Sequence, residues 1–527
     1  MDGTSDVVRS PVAPPAFALA GLCSLLACAP SSAPSPAVAP PPNVLFIAID
    51  DLRPTLGAYG DPVVKTPNID RLARSGAVFL EAHAQEAVCN PSRASLLTGL
   101  RPDSLRVWDL ETDFRRTTPD VVTLPQYFIR NGYTAVSVGK IYHNLIPDSL
   151  SWSEPEHKVA GFPYDPDAVY HGHDNVSIQE IRKAALIRAG REATAIDQFG
   201  QWYLKANATE AEDLPDSVYY DGAQTDYAVR RLAALRDAGR PFFFAVGYYR
   251  PHLPFNAPKR YWDLYDRKAL PLAPNRTVPA GAPGMAVNTN RELRGYADFA
   301  NAQDAAEGTL DSADVRRLTH GYYASISYVD AQVGRLLDQL DALGLTKNTI
   351  VVLWGDNGFK LGEHNGWAKM TNYTIDTHVP LIIRAPGQVR PGLRLSQPVE
   401  LVDIYPTLVA LAGLPVPSQL QGASAMPLLA NPQRPWKSAV FSQYLRNGIW
   451  VAKDSIPYMG YSMLTADWHY VAWMNWTTRQ YVAWELYDRR ADPMENVNLA
   501  GRPEHTALLA RLEAERVTGW RAARPAE

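Results

Sequence analysis

NVLFIAIDD, residues 43 to 51, is the stretch on which the fold turns. An apolar run with no polar break closes on two aspartates. Such a run predicts a strand buried on both faces, inside a sheet rather than at its edge. Three later stretches repeat the shape. TAVSVGK ends at Lys140, PFFFAVGYYRPH ends at His252, and TIVVLWGDNG carries Asp356 and Asn357 near its end. Helical patterns lie between them. The plainest runs over residues 317–343, where Tyr323, Ile326, Val333, Leu336, Leu337, Leu340 and Leu343 recur at helix spacing.

Strands alternating with helices predict an α/β domain with a mostly parallel central sheet flanked by helices. Ligands in such folds collect beyond the carboxyl ends of the strands, so the polar residues ending these runs are expected to converge. From about residue 437 the pattern changes. GYSMLTADWHYVAW and QYVAWELYD are aromatic and strand-like, and EHTALLARLEAERV is helix-like. We expect a large domain over residues 43–436 and a smaller C-terminal α+β domain with an antiparallel sheet over residues 437–527. A chain of 527 residues exceeds one compact core, which agrees with two parts. With 51 basic and 55 acidic residues, net charge −4, it lacks the basic surplus of a nucleic-acid protein, and no nucleic-acid partner is expected.

Residues 16–27, AFALAGLCSLLA, have the length of a signal-peptide apolar core and are too short to span a bilayer. Leu25-Leu26-Ala27-Cys28 has the form of a bacterial lipoprotein cleavage box, although the preceding MDGTSDVVR carries two acids and one arginine. APSSAPSPAVAPPP then reads as a linker with no means of building a core. The expectation is a signal peptide over 1–28 and a linker over 29–42. Export to the periplasm follows, either free after a plain secretory signal or held at the outer membrane by a lipid on Cys28. Of the three cysteines, Cys23 and Cys28 fall in this leader, so the body keeps only Cys89 and no intrachain disulfide is possible there. Cys89 is then a free thiol, a ligand, a nucleophile or a modified residue.

Asp50, Asp51, Asp356 and Asn357 offer oxygen ligands of the kind that hard divalent cations such as Ca²⁺ or Mg²⁺ take, and clustered carboxylates repel unless a cation or proton compensates. Singly, an Asp-Asp after a strand serves equally well as a turn or helix cap. A thiolate is a poor ligand for so hard a cation. The metal and the cysteine therefore conflict for as long as residue 89 stays a cysteine.

Cys89-Asn90-Pro91-Ser92-Arg93, followed by Leu97-Thr98-Gly99, resembles the signature of the formylglycine-dependent (type I) sulfatases. The likeness extends from about Asn43 to Leu499 through NVLFIAIDDLRP, TPNIDRLARSGAVFLEAHAQ, GYTAVSVGKIYH, GYYRPHLPF, GDNGFKLGEHNGWAK and ELYDRRADPMENVNLA. Within the family the segments look most like the branch acting on 2-O-sulfated uronic acids. Asn357 departs from that branch, which has a histidine there, but matches other sulfatases. Residues 150–230, with His171 and His173 in YHGHDNVS, show no clear match, and specificity is expected to differ through them.

The resemblance implies an alkaline-phosphatase-like fold and one Ca²⁺ on Asp50, Asp51, Asp356, Asn357 and the matured residue 89. It implies that a dedicated maturation enzyme converts Cys89 to formylglycine, whose hydrate supplies the nucleophile. Arg93 would steady that hydrate, and Lys140 and Lys369 would neutralise sulfate oxygens. His143 would act as the base that ejects sulfate. His252, with Lys369, would serve the leaving oxygen. His364 and His378 are expected to support the site rather than react. Arg53 is poised equally between a substrate carboxylate and a surface ion pair. The expected activity is removal of sulfate from a sulfated carbohydrate, a 2-O-sulfated uronic acid unit. The alternatives are a phosphodiesterase or phosphonate hydrolase of the same superfamily, and a non-catalytic protein that binds sulfated glycans.

Overall fold

A computed structural model describes residues 13–16, 40–143, 146–162, 166–190, 204–447 and 457–525. The expected signal peptide, with Cys23, Cys28 and its lipid anchor, lies outside the described residues apart from positions 13–16. Residues from Pro41 to Glu527 form one compact unit.

The unit is built on a sheet whose main strands are β1 (Asn43–Ile49), β2 (Ala77–His83), β3 (Thr134–Gly139), β4 (Phe242–Tyr248), β5 (Thr349–Gly355), β6 (His378–Arg384) and β7 (Leu393–Leu395). Their spatial order is β7-β2-β6-β5-β1-β4-β3, with the short strand Val399–Glu400 beside β2. β1 pairs in parallel with β4 and β5, and β3 with β4. Only β6 runs against its neighbours β2 and β5. The mostly parallel sheet expected from the sequence is therefore present, with NVLFIAI at its centre and every residue of it buried.

Alternation along β1 divides the core. Leu45, Ile47 and Ile49 point to one face, where they join Leu318, Tyr322, Val329 and Leu336 of the long helix Ser312–Ala342. That helix starts five residues before the periodic run does, because the side chain of Asp311 accepts a hydrogen bond from the amide of Asp314 and caps its first turn. Val44, Phe46 and Ala48 point to the other face, against Ala94, Leu96 and Leu97 of the helix Cys89–Thr98. All ten residues of this shorter helix are buried. Pro91 fits in its first turn, where a missing N–H breaks no helical bond, and Gly99 ends it in the left-handed conformation at φ 69°.

The tail forms the antiparallel sheet expected of it, in the order β8 (Ala439–Arg446), β9 (Tyr458–Thr465), β10 (Trp468–Asn475) and β11 (Tyr481–Asp488), followed by the helix Thr506–Thr518. β8 lies beside the segment that leads into Cys89: Gln443 N donates to Gln85 O at 2.8 Å and Ser442 Oγ to Ala84 O at 2.6 Å. Val88 and Tyr373 share an apolar cluster with Tyr444, Val471, Trp473 and Tyr487. No described helix is long and apolar enough to cross a membrane.

Candidate active site

Four strands send the residues just beyond their carboxyl ends to one place. Asp50 and Asp51 follow β1, Lys140 follows β3, His252 follows β4, and Asp356 and Asn357 follow β5. Asp51 adopts the left-handed conformation at φ 57°, and its amide donates to Asp356 Oδ1 at 3.0 Å, which turns the chain sharply at the sheet edge. The signature helix enters from the other side. Cys89 lies in its first turn, at the positive end of its dipole, and the thiol faces Asn357 Oδ1 at 3.7 Å.

Arg93, one turn on, is fully buried. Its Nε donates to Asp356 Oδ2 at 2.7 Å, its Nη2 to Asp50 Oδ1 at 3.0 Å, and its Nη1 to the carbonyls of Lys140 at 2.5 Å and Ile141 at 3.2 Å. Lys140 Nζ meets Asp50 Oδ2 at 2.6 Å. Lys369 Nζ meets Asp51 Oδ2 at 2.7 Å, and Asn357 Nδ2 donates to Asp51 Oδ1 at 2.7 Å. Each of the three aspartates is thus met by at least one cation or amide, and the ligand atoms of Asp50, Cys89 and Asp356 lie within 4.8 Å of one another.

Burial and charge set the protonation of these groups. Burial, then the charges of Asp50 and Glu292, pushes Asp51 up to about 6 against the pull of Lys369 and His252. Burial also raises Asp356, with Asp50 adding to it. Asp50 goes the other way: burial works to raise it, but Lys140 and Arg93 together hold it well below the usual carboxylate range. Burial, with Asp50, drives the Cys89 thiol well above its ordinary value, so the unmodified residue is a protonated thiol and a weak nucleophile. Burial and the neighbouring Lys140 lower His143 to about 3, which keeps its ring neutral. His252 is raised, because Asp167, Asp51 and Glu292 outweigh burial and Lys369.

Nine of the ten expected site residues therefore meet in one network. His143 lies within the field of Lys140, Asp50 and Arg93, and its Nδ1 is buried with no hydrogen-bond partner among the described residues. Arg53 resolves toward an internal pair: it contacts Glu363 Oε1 at 2.8 Å, Thr55 Oγ1 at 2.6 Å and Phe359 O at 3.2 Å. His364 is buried against Met494 O, and His378 donates to Leu80 O on β2. His173 is exposed, whereas His171 is half-buried and packs edge-on against Tyr219.

Sequence reasoning missed three charged residues. Glu292 Oε1 accepts from Lys369 Nζ at 2.9 Å and lies 3.0 Å from His252 Nε2. Asp167 Oδ1 lies 3.6 Å from His252 Nδ1 and has no hydrogen-bond partner among the described residues. Lys205 Nζ stands 4.0 Å from Asp167 Oδ2. Asp167 and Lys205 both come from the region without a clear family match, which is the one signal that pointed toward them.

The sulfatase family model matches residues 42–414, and the model of the C-terminal part of N-sulphoglucosamine sulphohydrolase matches residues 362–521. The chain belongs to the sulfatase family, and is a sulfuric ester hydrolase. Human iduronate 2-sulfatase is 34% identical over 522 residues, covering 87% of this chain and 90% of that one. Mouse iduronate 2-sulfatase is 33% identical, covering 89% and 92%. Among solved structures, one in complex with its substrate D-glucosamine-2-N,6-O-disulfate superposes with a TM-score of 0.69 at 24% identity, covering 92% of this chain and 99% of that one. At that identity the likeness speaks for the fold alone, and it carries the alkaline-phosphatase-like architecture expected above.

Proposed function

We propose that this sulfatase removes sulfate from a sulfated carbohydrate, a 2-O-sulfated uronic acid unit, with residue 89 matured to formylglycine and one Ca²⁺ in the site. The observation that carries the reading is the setting of Cys89: a buried, protonated thiol facing the oxygen of Asn357 within a ring of three carboxylates and three cations. A thiol in that state is neither a good nucleophile nor a ligand for a hard cation, whereas an oxygen at the same position serves as both. The choice of a uronic acid follows the iduronate 2-sulfatases among the relatives.

The donor set fits a hard cation. Asp50, Asp51, Asp356 and Asn357 each offer a side-chain oxygen, all four residues are buried, and the raised Asp51 and Asp356 mark negative charge that a divalent cation relieves. When bound, Ca²⁺ supplies Lewis-acid polarisation of a sulfate oxygen. Formylglycine, as its hydrate, supplies the attacking oxygen. The remaining work belongs to the chain. Arg93 holds Asp50 and Asp356 at fixed separation. Lys140 and Lys369 place positive charge where sulfate oxygens gather. The neutral ring of His143 is in the form that accepts a proton, and His252 carries the proton that the departing alcohol needs. A maturation enzyme in the producing cell completes the proposal, together with export, either free to the periplasm or held at the outer membrane by a lipid on Cys28.

The first test is the mass of the peptide containing Cys89 from protein made in its native host. Conversion of the thiol to the aldehyde lowers it by about 18 Da. The enzyme is then offered a 2-O-sulfated uronate disaccharide, other sulfated sugars, and phosphate esters. Full activity with an unmodified thiol sinks the proposed chemistry, and faster turnover of phosphate esters moves the chain to the phosphodiesterase alternative.

A further inference from the structure

Glu292 is 6% exposed and lies inside the stretch matched by the sulfatase family model, but outside the motif segments quoted from the sequence. It immediately precedes the short turn Leu293–Gly295, at the end of a loop tied to the segment around Trp367 and Lys369. Asn288 Nδ2 donates to Lys369 O at 2.8 Å, Trp367 N donates to Asn290 Oδ1 at 2.8 Å, and Asn290 N donates to Asn288 Oδ1 at 2.6 Å. Asn290 takes the left-handed conformation at φ 50° within this loop. The loop thus carries Glu292 to a fixed point, where one oxygen meets both Lys369 Nζ and His252 Nε2.

The two donors do not depend on it equally. Lys369 keeps Asp51 as a second anchor at 2.7 Å. His252 Nε2 has Asp51 only at 3.9 Å. On the other side of the ring, Nδ1 faces the carbonyl of Leu253 at 2.5 Å. Leu253 O holds the far nitrogen, Nδ1, and Glu292 lies against Nε2 itself; together they fix the plane and direction of the imidazole, and a leaving oxygen would share the Nε2 proton with Glu292. Oε2 of Glu292 is buried and has no hydrogen-bond partner among the described residues, so His252 shares this carboxylate with Lys369 alone, both on Oε1.

From this geometry we infer that Glu292 is a positioning residue of the sulfatase reaction, aligning His252 with the leaving oxygen of the sugar. The inference rests on the role of His252 given under Proposed function. The test is a double-mutant cycle of Glu292→Gln and His252→Ala, with kcat and KM measured on a sulfated sugar. Glu292→Gln is expected to lower kcat by about 30- to 100-fold with KM within about 3-fold, and His252→Ala by about 1000-fold, within the range of general acid catalysis. The double variant should be no worse than His252→Ala within about 3-fold, because a residue acting through another has nothing left to align. Glu292→Asp, which keeps the charge but shortens its reach, should fall between wild type and Glu292→Gln. Losses that multiply in the double variant, or a Glu292→Asp enzyme with full kcat, overturn the inference while leaving the sulfatase reading intact. A wild type that leaves every sulfated sugar untouched overturns both.

Discussion

The Nε of Arg93 donates to Oδ2 of Asp356 at 2.7 Å across 263 residues of sequence. The same guanidinium reaches Asp50, so one buried cation ties the ends of the neighbouring strands β1 and β5. Arg93 is therefore structural as well as electrostatic. Arg93→Met leaves two buried carboxylates short of their partner and is expected to cost about 3–5 kcal/mol of stability. Arg93→Lys, a point charge on a narrower reach, should recover little of it. Denaturant unfolding reads both, and a loss under about 1 kcal/mol for Arg93→Met refutes the assignment.

Calcium should stabilise the folded protein, because a ligand that binds only the native state adds about 2.7 kcal/mol at a hundred times its Kd. We expect Tm to rise by a few degrees with Ca²⁺ and to fall back with a chelator. Asp356→Ala should abolish the response. Thermal melts followed by circular dichroism check this without any substrate, and a response that survives Asp356→Ala places the cation elsewhere.

His378 gives a pH dependence of known sign. Its ring stacks on His83 at 5.3 Å and donates to Leu80 O at 2.7 Å; His83 in turn lies 3.4 Å from Glu81, which pairs with Arg489. Burial, then the charge of His83, lowers it to about 4. The unfolded residue titrates near 6.5, so the unfolded chain binds the extra proton first. The contribution of His378 is fully present above about pH 6.5 and is lost as pH falls toward about 4, amounting to about 2 kcal/mol after allowance for its partial exposure. Urea titrations of wild type and His378→Gln should converge across that window. Parallel curves would show that His378 does not carry the effect.

The C-terminal sheet reaches the site through Glu495. Its Oε1 pairs with His469 Nδ1 of β10, and its carboxylate accepts from Thr374 Oγ1 at 2.6 Å and Thr374 N at 2.9 Å, five residues beyond Lys369. Glu495→Ala strands His469 and frees that loop. It should destabilise the protein by about 3 kcal/mol, as broken buried pairs do, and lower kcat several-fold. Unchanged kinetics in a destabilised variant would confine Glu495 to a structural role.

The site was unevenly legible. Asp50, Asp51, Lys140, His252, Asp356 and Asn357 could be read because each follows an apolar run, and a parallel sheet sends the ends of such runs to one edge. Cys89 and Arg93 could be read because a short motif holds them one helical turn apart. Glu292 and Asp167 could not. They stand in irregular chain, where no periodicity marks a residue and only a distant partner gives it meaning. Arg53 was undecidable for the same reason, since its partner Glu363 lies 310 residues away.

The sequence by itself determined the buried strands, the antiparallel tail and the family, because periodicity and motif are local properties written within a few turns of chain. Only the tertiary structure decided which charges face one another. It set Glu292 against His252 and Lys369, set Arg93 between Asp50 and Asp356, and closed the whole network off from water. Coulomb energies depend on distance and on burial, and neither is a property of any residue until the chain has folded.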